Sequence, residues 1–206
     1  MIWAVVLAAG ESLRMGRPKL LLPYGEETII ETVLRNVGSS TVDGTVVVLG
    51  GARRAIEDRI RRFPVRRAVN RAYREGMLSS VRRGLSALPP SARAALIVLA
   101  DQPDISPVVI DALIKAYRDG GKGIVLPVFQ KKRGHPLLVD LKYRRAIESL
   151  SPEIGLRGLL LDHGDDILEI RISSREILTD IDRPADYERA RRADRKRRRP
   201  SAGRFS

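Results

Sequence analysis

Residues 4–25 read AVVLAAGESLRMGRPKLLLPYG, and the reading of this stretch decides how the rest of the chain is arranged. It belongs to an apolar run from Ile2 to Leu7, rich in β-branched residues and bounded by small ones, as a short strand buried on both faces would be. At Ala8, Ala9 and Gly10 the side chains almost vanish, so a ligand can approach the main chain closely. Ser12, Arg14, Gly16 and Lys19 follow, spaced through a loop beyond the strand's carboxyl end. Backbone N–H groups in a glycine-containing turn, backed by an arginine and a lysine, suit a polyphosphate. Two better-known phosphate loops are excluded. Gly10 and Gly16 are separated by five residues, one more than the motif allows, and Arg17 comes next, so the GxxxxGK-Ser/Thr motif is absent, and GxGxxG is absent too.

Outward from this stretch, strands and helices alternate. Ile29, Ile30, Val33, Leu34 and Val37 have helical spacing behind Thr28, with Glu31 placed for a capping box and Gly38 as the stop. Residues 44–51 form a continuous apolar strand, as in a parallel sheet covered on both faces. A basic helix over 52–62 and a third strand over 64–69, ending at Asn70, come next. Met77, Leu78, Val81 and Leu85 share one helical face, which places Ser79 and Ser80 in a first turn whose free N–H groups favour an anion. The two serines equally suit an ordinary helix start, and Asn70 a strand-end turn.

Residues 94–101, AALIVLAD, are the second anchor. Ligands of open α/β sheets lie beyond the carboxyl ends of strands, so Asp101 is expected on the same rim as the 10–19 loop. One carboxylate with phosphate oxygens and waters is a common way to hold Mg2+. Ser106, directly before Pro107, is a better cap than Asp101 for the helix over 108–118. A strand over 123–129 leads into a polar turn containing Lys131, Lys132, Arg133, Gly134 and His135, and then a strand at 137–139. Helices over 141–150 and 155–161, a strand from Ile167 and a helix opened by Pro184 complete the pattern. Asp162, Asp165 and Asp166 read as turn residues, and neither His135 nor His163 has a second histidine at metal-ligand spacing. Asp182 is either an N-cap or a second metal carboxylate. The alternation implies an α/β domain with a mostly parallel central sheet.

Composition narrows the function. The chain has 206 residues, no cysteine and a net charge of +13, with no apolar run long enough to span a bilayer. A reducing cytoplasm and no membrane partner are expected. Residues 189–206 hold nine Lys/Arg and one acid, which leaves residues 1–188 at only +5, a mild excess that suits polyanionic substrates. The expected organisation is one domain over 1–190 and a basic, disordered tail over 191–206 that meets nucleic acid weakly or is simply solvated.

The pattern LAAGxSxRMGxPKLLLP, met by residues 7–23, resembles the signature of the MobA-like nucleotidyltransferases, and within them most that of the molybdenum cofactor cytidylyltransferases. The resemblance covers residues 2–190. It implies a three-layer α/β/α Rossmann-like domain of the nucleotide-diphospho-sugar transferase type. The activity it implies is transfer of a nucleotidyl group from a nucleoside triphosphate with Mg2+, or Mn2+ in its place, to a phosphate. Catalytic roles then fall to Arg14, Lys19 and Asp101. Nucleotide contacts fall to Leu7, Ala8, Ala9, Gly10, Ser12, Arg14, Gly16, Lys19, Asn70, Ser79 and Ser80. The metal falls to Asp101 and Asp182, and the acceptor to Gly134 and His135.

Ala9 and Pro18 stand where guanylyl-specific relatives have Gly and Asp, which implies CTP. The acceptor implied is a molybdopterin-type cofactor, with transient contact to a molybdenum enzyme or its chaperone. GTP, or a sugar or polyol phosphate acceptor, is the alternative, and a nucleic-acid binder acting through the tail is the rival outside catalysis. Residues 180–187, DIDRPADY, meet the family's DIDTPEDY except at Arg183 and Ala185, and Tyr24–Glu27 also depart from it. A phosphate nucleophile is ionised at neutral pH, so no general base is needed, in keeping with the lack of a Ser/His/Asp or Cys/His set.

Overall fold

In the computed structural model, which describes residues 1–198, the opening apolar run is β1 (Ile2–Ala8), the middle of a mixed sheet. The chain continues through β2 (Pro23–Tyr24) and β3 (Glu27–Thr28), a small separate hairpin, into α1 (Ile29–Gly38). Next come β4 (Gly44–Leu49), α2 (Arg53–Arg59), β5 (Arg66–Val69), α3 (Met77–Ser86), β6 (Ala94–Leu99) and α4 (Pro107–Gly120). The second half adds β7 (Ile124–Phe129), β8 (Lys132–Arg133), β9 (Leu137–Asp140), α5 (Arg144–Ser149), α6 (Leu156–Asp162), β10 (Ile167–Arg171) and α7 (Pro184–Arg198).

The strand order is β10-β7-β9-β6-β1-β4-β5, with β8 paired to β7. β1 runs parallel to β4 and β6, β4 to β5, and β7 to β10, whereas β9 is antiparallel to both β6 and β7. The mostly parallel sheet is therefore present, interrupted by the reversed β9 and flanked by the short β8, which is antiparallel to β7.

Alternation along β1 builds two cores. Ile2, Ala4, Val6 and Ala8 join residues of α1, α2, α4 and α7 on one face; Trp3, Val5 and Ala9 join α3, α5 and α6 on the other. The result is a three-layer α/β/α domain. α3 approaches β1 so closely that a Cβ at Gly84 would collide with the Val5 side chain. α1 begins as its sequence requires: the Thr28 N–H donates to Glu31 Oε2 at 2.9 Å and the Thr28 hydroxyl to the same oxygen at 2.6 Å.

Several sequence boundaries move. The basic helix over 52–62 contracts to Arg53–Arg59, and the third strand starts at Arg66. The expected tail is corrected more substantially. α7 continues to Arg198, with Tyr187, Ala190 and Asp194 buried, so the boundary at 190 falls inside a helix that is fastened to the domain. A run of arginines reads as solvated when its sparse buried positions are overlooked. Residues 199–206, the rest of that expected tail, lie outside the described residues. No helix among those described is long and apolar enough to cross a membrane.

Candidate active site

The loop after β1 is closed by its own main chain. Ser12 (φ 56°) and Gly16 (φ 64°) adopt the left-handed conformation, which for Gly16 carries no steric cost. The Met15 N–H donates to the Ser12 carbonyl at 2.9 Å, and the Lys19 N–H to Ser12 Oγ at 3.1 Å. Met15 and Leu20 are buried in the core and anchor the loop from beneath, while the Ala9 carbonyl accepts from the Gly51 N–H at 3.0 Å. Between these anchors Arg14 and Lys19 are displayed on one rim of the sheet.

On that rim Lys19 meets two carboxylates that lie far away in sequence. Its Nζ donates to Asp101 Oδ2 and to Asp182 Oδ1, each at 2.7 Å, and Arg14 approaches Asp182 Oδ2 at 3.4 Å. The Lys19 side chain is 13% exposed and that of Asp101 20%. Burial works against the Lys19 ammonium, but the two carboxylates outweigh it and its pKa is raised. Asp182 is lowered, first by the Lys19 hydrogen bond and against the effect of burial. Asp180 shifts upward, first by burial and further by the charges of Asp182 and Asp101.

The helix-cap reading of Asp182 is corrected by its neighbour. Asp186 Oδ2 accepts from the Asp182 N–H at 3.3 Å and the Arg183 N–H at 2.8 Å, so Asp186 caps α7 and the Asp182 side chain faces Lys19. The Ile181 N–H also donates to the Asp101 carbonyl at 3.1 Å, which joins the two carboxylate segments backbone to backbone.

A cleft of about 440 Å³ opens over this cluster. Of the residues singled out in the sequence, Leu7, Ala9, Gly10, Ser12, Arg14, Lys19, Ser80, Asp101 and Asp182 line it. Ala8 turns its side chain into the core, and Gly16 shapes the loop from outside the cleft wall. Asn70 is buried behind the serines and donates from Nδ2 to Ser79 Oγ at 2.9 Å and Ser80 Oγ at 3.0 Å. Ser79 is further engaged with the Ala72 and Gly76 carbonyls, at 2.9 and 2.8 Å, so Ser80 is the serine that reaches the cleft.

Gly134 and His135 lie outside the cleft lining, held by a Gly134 N–H bond to the Pro127 carbonyl (2.9 Å) and a His135 N–H bond to Ile177 (3.0 Å). The His135 ring is lowered in pKa by burial, against the opposing charge of Asp101. Lys131 and Lys132 are exposed on the β7–β8 turn, and Arg133 pairs with Glu169 at 2.7 Å. His163 packs on Tyr143, and Asp166 accepts from the Tyr143 hydroxyl and pairs with Lys142, so these residues serve local structure.

Glu11, Leu13, Tyr73 and Arg74 also border the cleft and had no signal in the sequence, and Met77, grouped there with the apolar face of α3, is exposed at the cleft instead. Glu11 pairs with Arg74 at 2.8 Å and accepts from the Tyr73 hydroxyl at 3.1 Å, contacts that bridge more than sixty residues of chain.

Two carboxylate oxygens already converge on a single cation, the Lys19 ammonium, and hard oxygen donors are what Mg2+ and Mn2+ prefer. Among the described residues no three His, Cys, Asp or Glu side chains gather at one point. The donor set therefore fits a divalent ion completed by phosphate oxygens and water, not one caged by protein alone.

The chain is similar to several known proteins. A family model described as a MobA-like NTP transferase domain matches residues 4–167. The chain is 32% identical over 168 residues to nicotine blue oxidoreductase of Paenarthrobacter nicotinovorans, covering 77% of this chain and 81% of that one. It is 27% identical over 186 residues to the molybdenum cofactor cytidylyltransferase of Escherichia coli K12, covering 89% and 92%. The crystal structure of Rv0371c from Mycobacterium tuberculosis has a TM-score of 0.84 at 26% identity, over 93% of this chain and 97% of that one, and a manganese complex of the same protein has 0.80.

Proposed function

From the premise that the chain belongs to the MobA-like NTP transferase family and is a nucleotidyltransferase, we propose that it moves CMP from CTP to the phosphate of a molybdopterin-type cofactor. The observation that carries this reading is the convergence of Lys19, Asp101 and Asp182 at the rim where the glycine-containing loop ends. Choice of base and acceptor rests on Ala9 and Pro18 and on the near full-length match to a cytidylyltransferase.

In the reaction an oxygen of the acceptor phosphate forms a bond to the α-phosphorus of CTP. The bond from that phosphorus to the α–β bridging oxygen breaks, and pyrophosphate leaves with the electron pair. The main-chain N–H groups between Gly10 and Gly16 cradle the phosphates, and Arg14 and Lys19 meet the negative charge that grows on the leaving group. Asp101 and Asp182 would hold Mg2+ or Mn2+, which when bound neutralises phosphate charge and makes the α-phosphorus more electrophilic. Asn70 fixes Ser80 at the nucleotide's far end. His135, whose pKa burial lowers against the charge of Asp101, and Gly134 are assigned to the acceptor side. The product is itself a cofactor, so its consumer is a molybdenum enzyme or that enzyme's chaperone, met in transient contact.

The 32% identity to a protein named an oxidoreductase favours a second reading, in which the same cleft serves a redox reaction. Incubation with α-labelled CTP, Mg2+ and a molybdopterin-type cofactor tests both. Labelled dinucleotide and pyrophosphate are expected, with GTP a poorer donor and sugar phosphates inert as acceptors. No labelled product from any nucleoside triphosphate, together with oxidation of a reduced nicotinamide nucleotide, would replace the transferase reading with the redox one.

A further inference from the structure

The C-terminal helix does more than cover the sheet. Both of its ends are fastened to one short loop, residues 101–104, which begins with Asp101. At the helix entrance the Ile181 N–H donates to the Asp101 carbonyl at 3.1 Å, and Asp182 follows directly. Near the other end Arg197 donates from Nη2 to Asp104 Oδ1 and, at 3.2 Å, to the Tyr24 hydroxyl. Tyr24 is 1% exposed and donates to that same Asp104 oxygen at 2.6 Å. Tyr24 also lies in the segment that leaves the Lys19 loop, whose Pro23 carbonyl accepts from the Tyr187 hydroxyl at 2.7 Å. Asn36 closes the loop from the opposite side, with Nδ2 donating to the Pro103 and Ile105 carbonyls at 2.9 and 3.0 Å.

We infer that Arg197 is a positioning residue for the metal carboxylates: by locking the far end of α7 to Asp104 and Tyr24, it fixes where Asp182 stands relative to Asp101. The inference rests on the proposed role of Asp101 and Asp182 in holding the divalent ion. The helix rises 1.5 Å per residue, so Arg197 acts from about 20 Å away along its axis. Buried Tyr187 and Ala190 hold the middle of the helix, and Arg197 adds the lock at its far end, which limits rocking about that middle and so the movement of Asp182. Part of the basic segment that resembles a solvated tail thereby belongs to the machinery of the site.

Mn2+ titrated into the full-length protein with a non-hydrolysable CTP analogue, followed by electron paramagnetic resonance of the free ion, tests this. Arg197→Ala is expected to weaken Mn2+ binding several-fold, with metal-free nucleotide binding little changed. Arg197→Lys should recover part of the loss, and Lys196→Ala, which removes a neighbouring exposed charge, should bind as the wild type does. Equal Mn2+ affinity in wild type and folded Arg197→Ala overturns the inference while leaving the transferase reading intact. So does an equal loss in Lys196→Ala, which would make net charge the cause. If Arg197→Ala does not fold, Tyr24→Phe decides, because it keeps the buried ring and deletes only the shared hydroxyl: a several-fold loss supports the clamp and unchanged affinity overturns it. A wild-type protein that binds no Mn2+ overturns the metal reading and this inference with it.

Discussion

The two ends of the cleft are built from opposite chemistry. At one end Arg14, Lys19, Asp101 and Asp182 form a compact group of charges drawn from three distant segments. At the other, Asn70 holds Ser79 and Ser80 through neutral hydrogen bonds and receives the Ala72 N–H at 3.0 Å. Charges in a partly dry site interact strongly and respond to any incoming ion, whereas a neutral, satisfied network mainly fixes shape. The first end is therefore where rate should reside, and the second is where nucleotide affinity and choice should reside.

The largest effect that can break this division is at Lys19. Lys19→Ala should lower turnover by about 10²–10³-fold, the scale of a lost charge-stabilising donor. Because it also frees two carboxylates from their ammonium partner, it should tighten Mn2+ binding in the absence of nucleotide. Turnover and Mn2+ titration check both outcomes, and loss of both together would mean that Lys19 only holds the fold. At the neutral end Asn70→Ala should raise the nucleotide KM by about tenfold with kcat nearly unchanged, because a contact felt equally by ground and transition states is removed. A fall in kcat alone would move that end into the chemistry.

Acid should weaken the charged end. Asp182 has a folded pKa below its ordinary value of 3.8. Its stabilisation is thus complete above that value and is lost as pH falls through the folded pKa, where the native carboxylate finally takes a proton. The Lys19 contribution runs oppositely: it is present below 10.5 and lost as pH rises through its raised folded value. Urea midpoints measured from pH 5 to 3, a range of about two units around the carboxylate value, should fall more steeply in wild type than in Asp182→Asn. The smallest effect lies away from both ends. Thr28→Ala should cost about 1 kcal/mol of stability, as a lost helix cap does, and leave turnover unchanged; urea unfolding and initial rates read the two separately.

What could be read in the sequence follows the same local-versus-distant line. β1, its loop and β6 are encoded by contiguous runs, so their elements and the shared rim of Lys19 and Asp101 were legible before any coordinates. Spacing does not reveal whether Asp182 caps α7, because the capping contacts are made by Asp186, four residues on, through main-chain geometry. Glu11 and Arg74 gave no signal, since nothing local in either segment announces the other. The arginines just after residue 190 misled because the partners of Arg197, the buried Tyr24 and the half-buried Asp104, are supplied by other parts of the chain.

The central claim is that the charged end handles a triphosphate together with a divalent ion. Pyrophosphate release from CTP, with Mg2+ and a molybdopterin-type phosphate acceptor, compared in wild type and Asp101→Asn at equal folded concentration, tests it most directly. The account predicts steady release by the wild type and a loss of at least about 100-fold in the variant. Equal rates in the two proteins would contradict it.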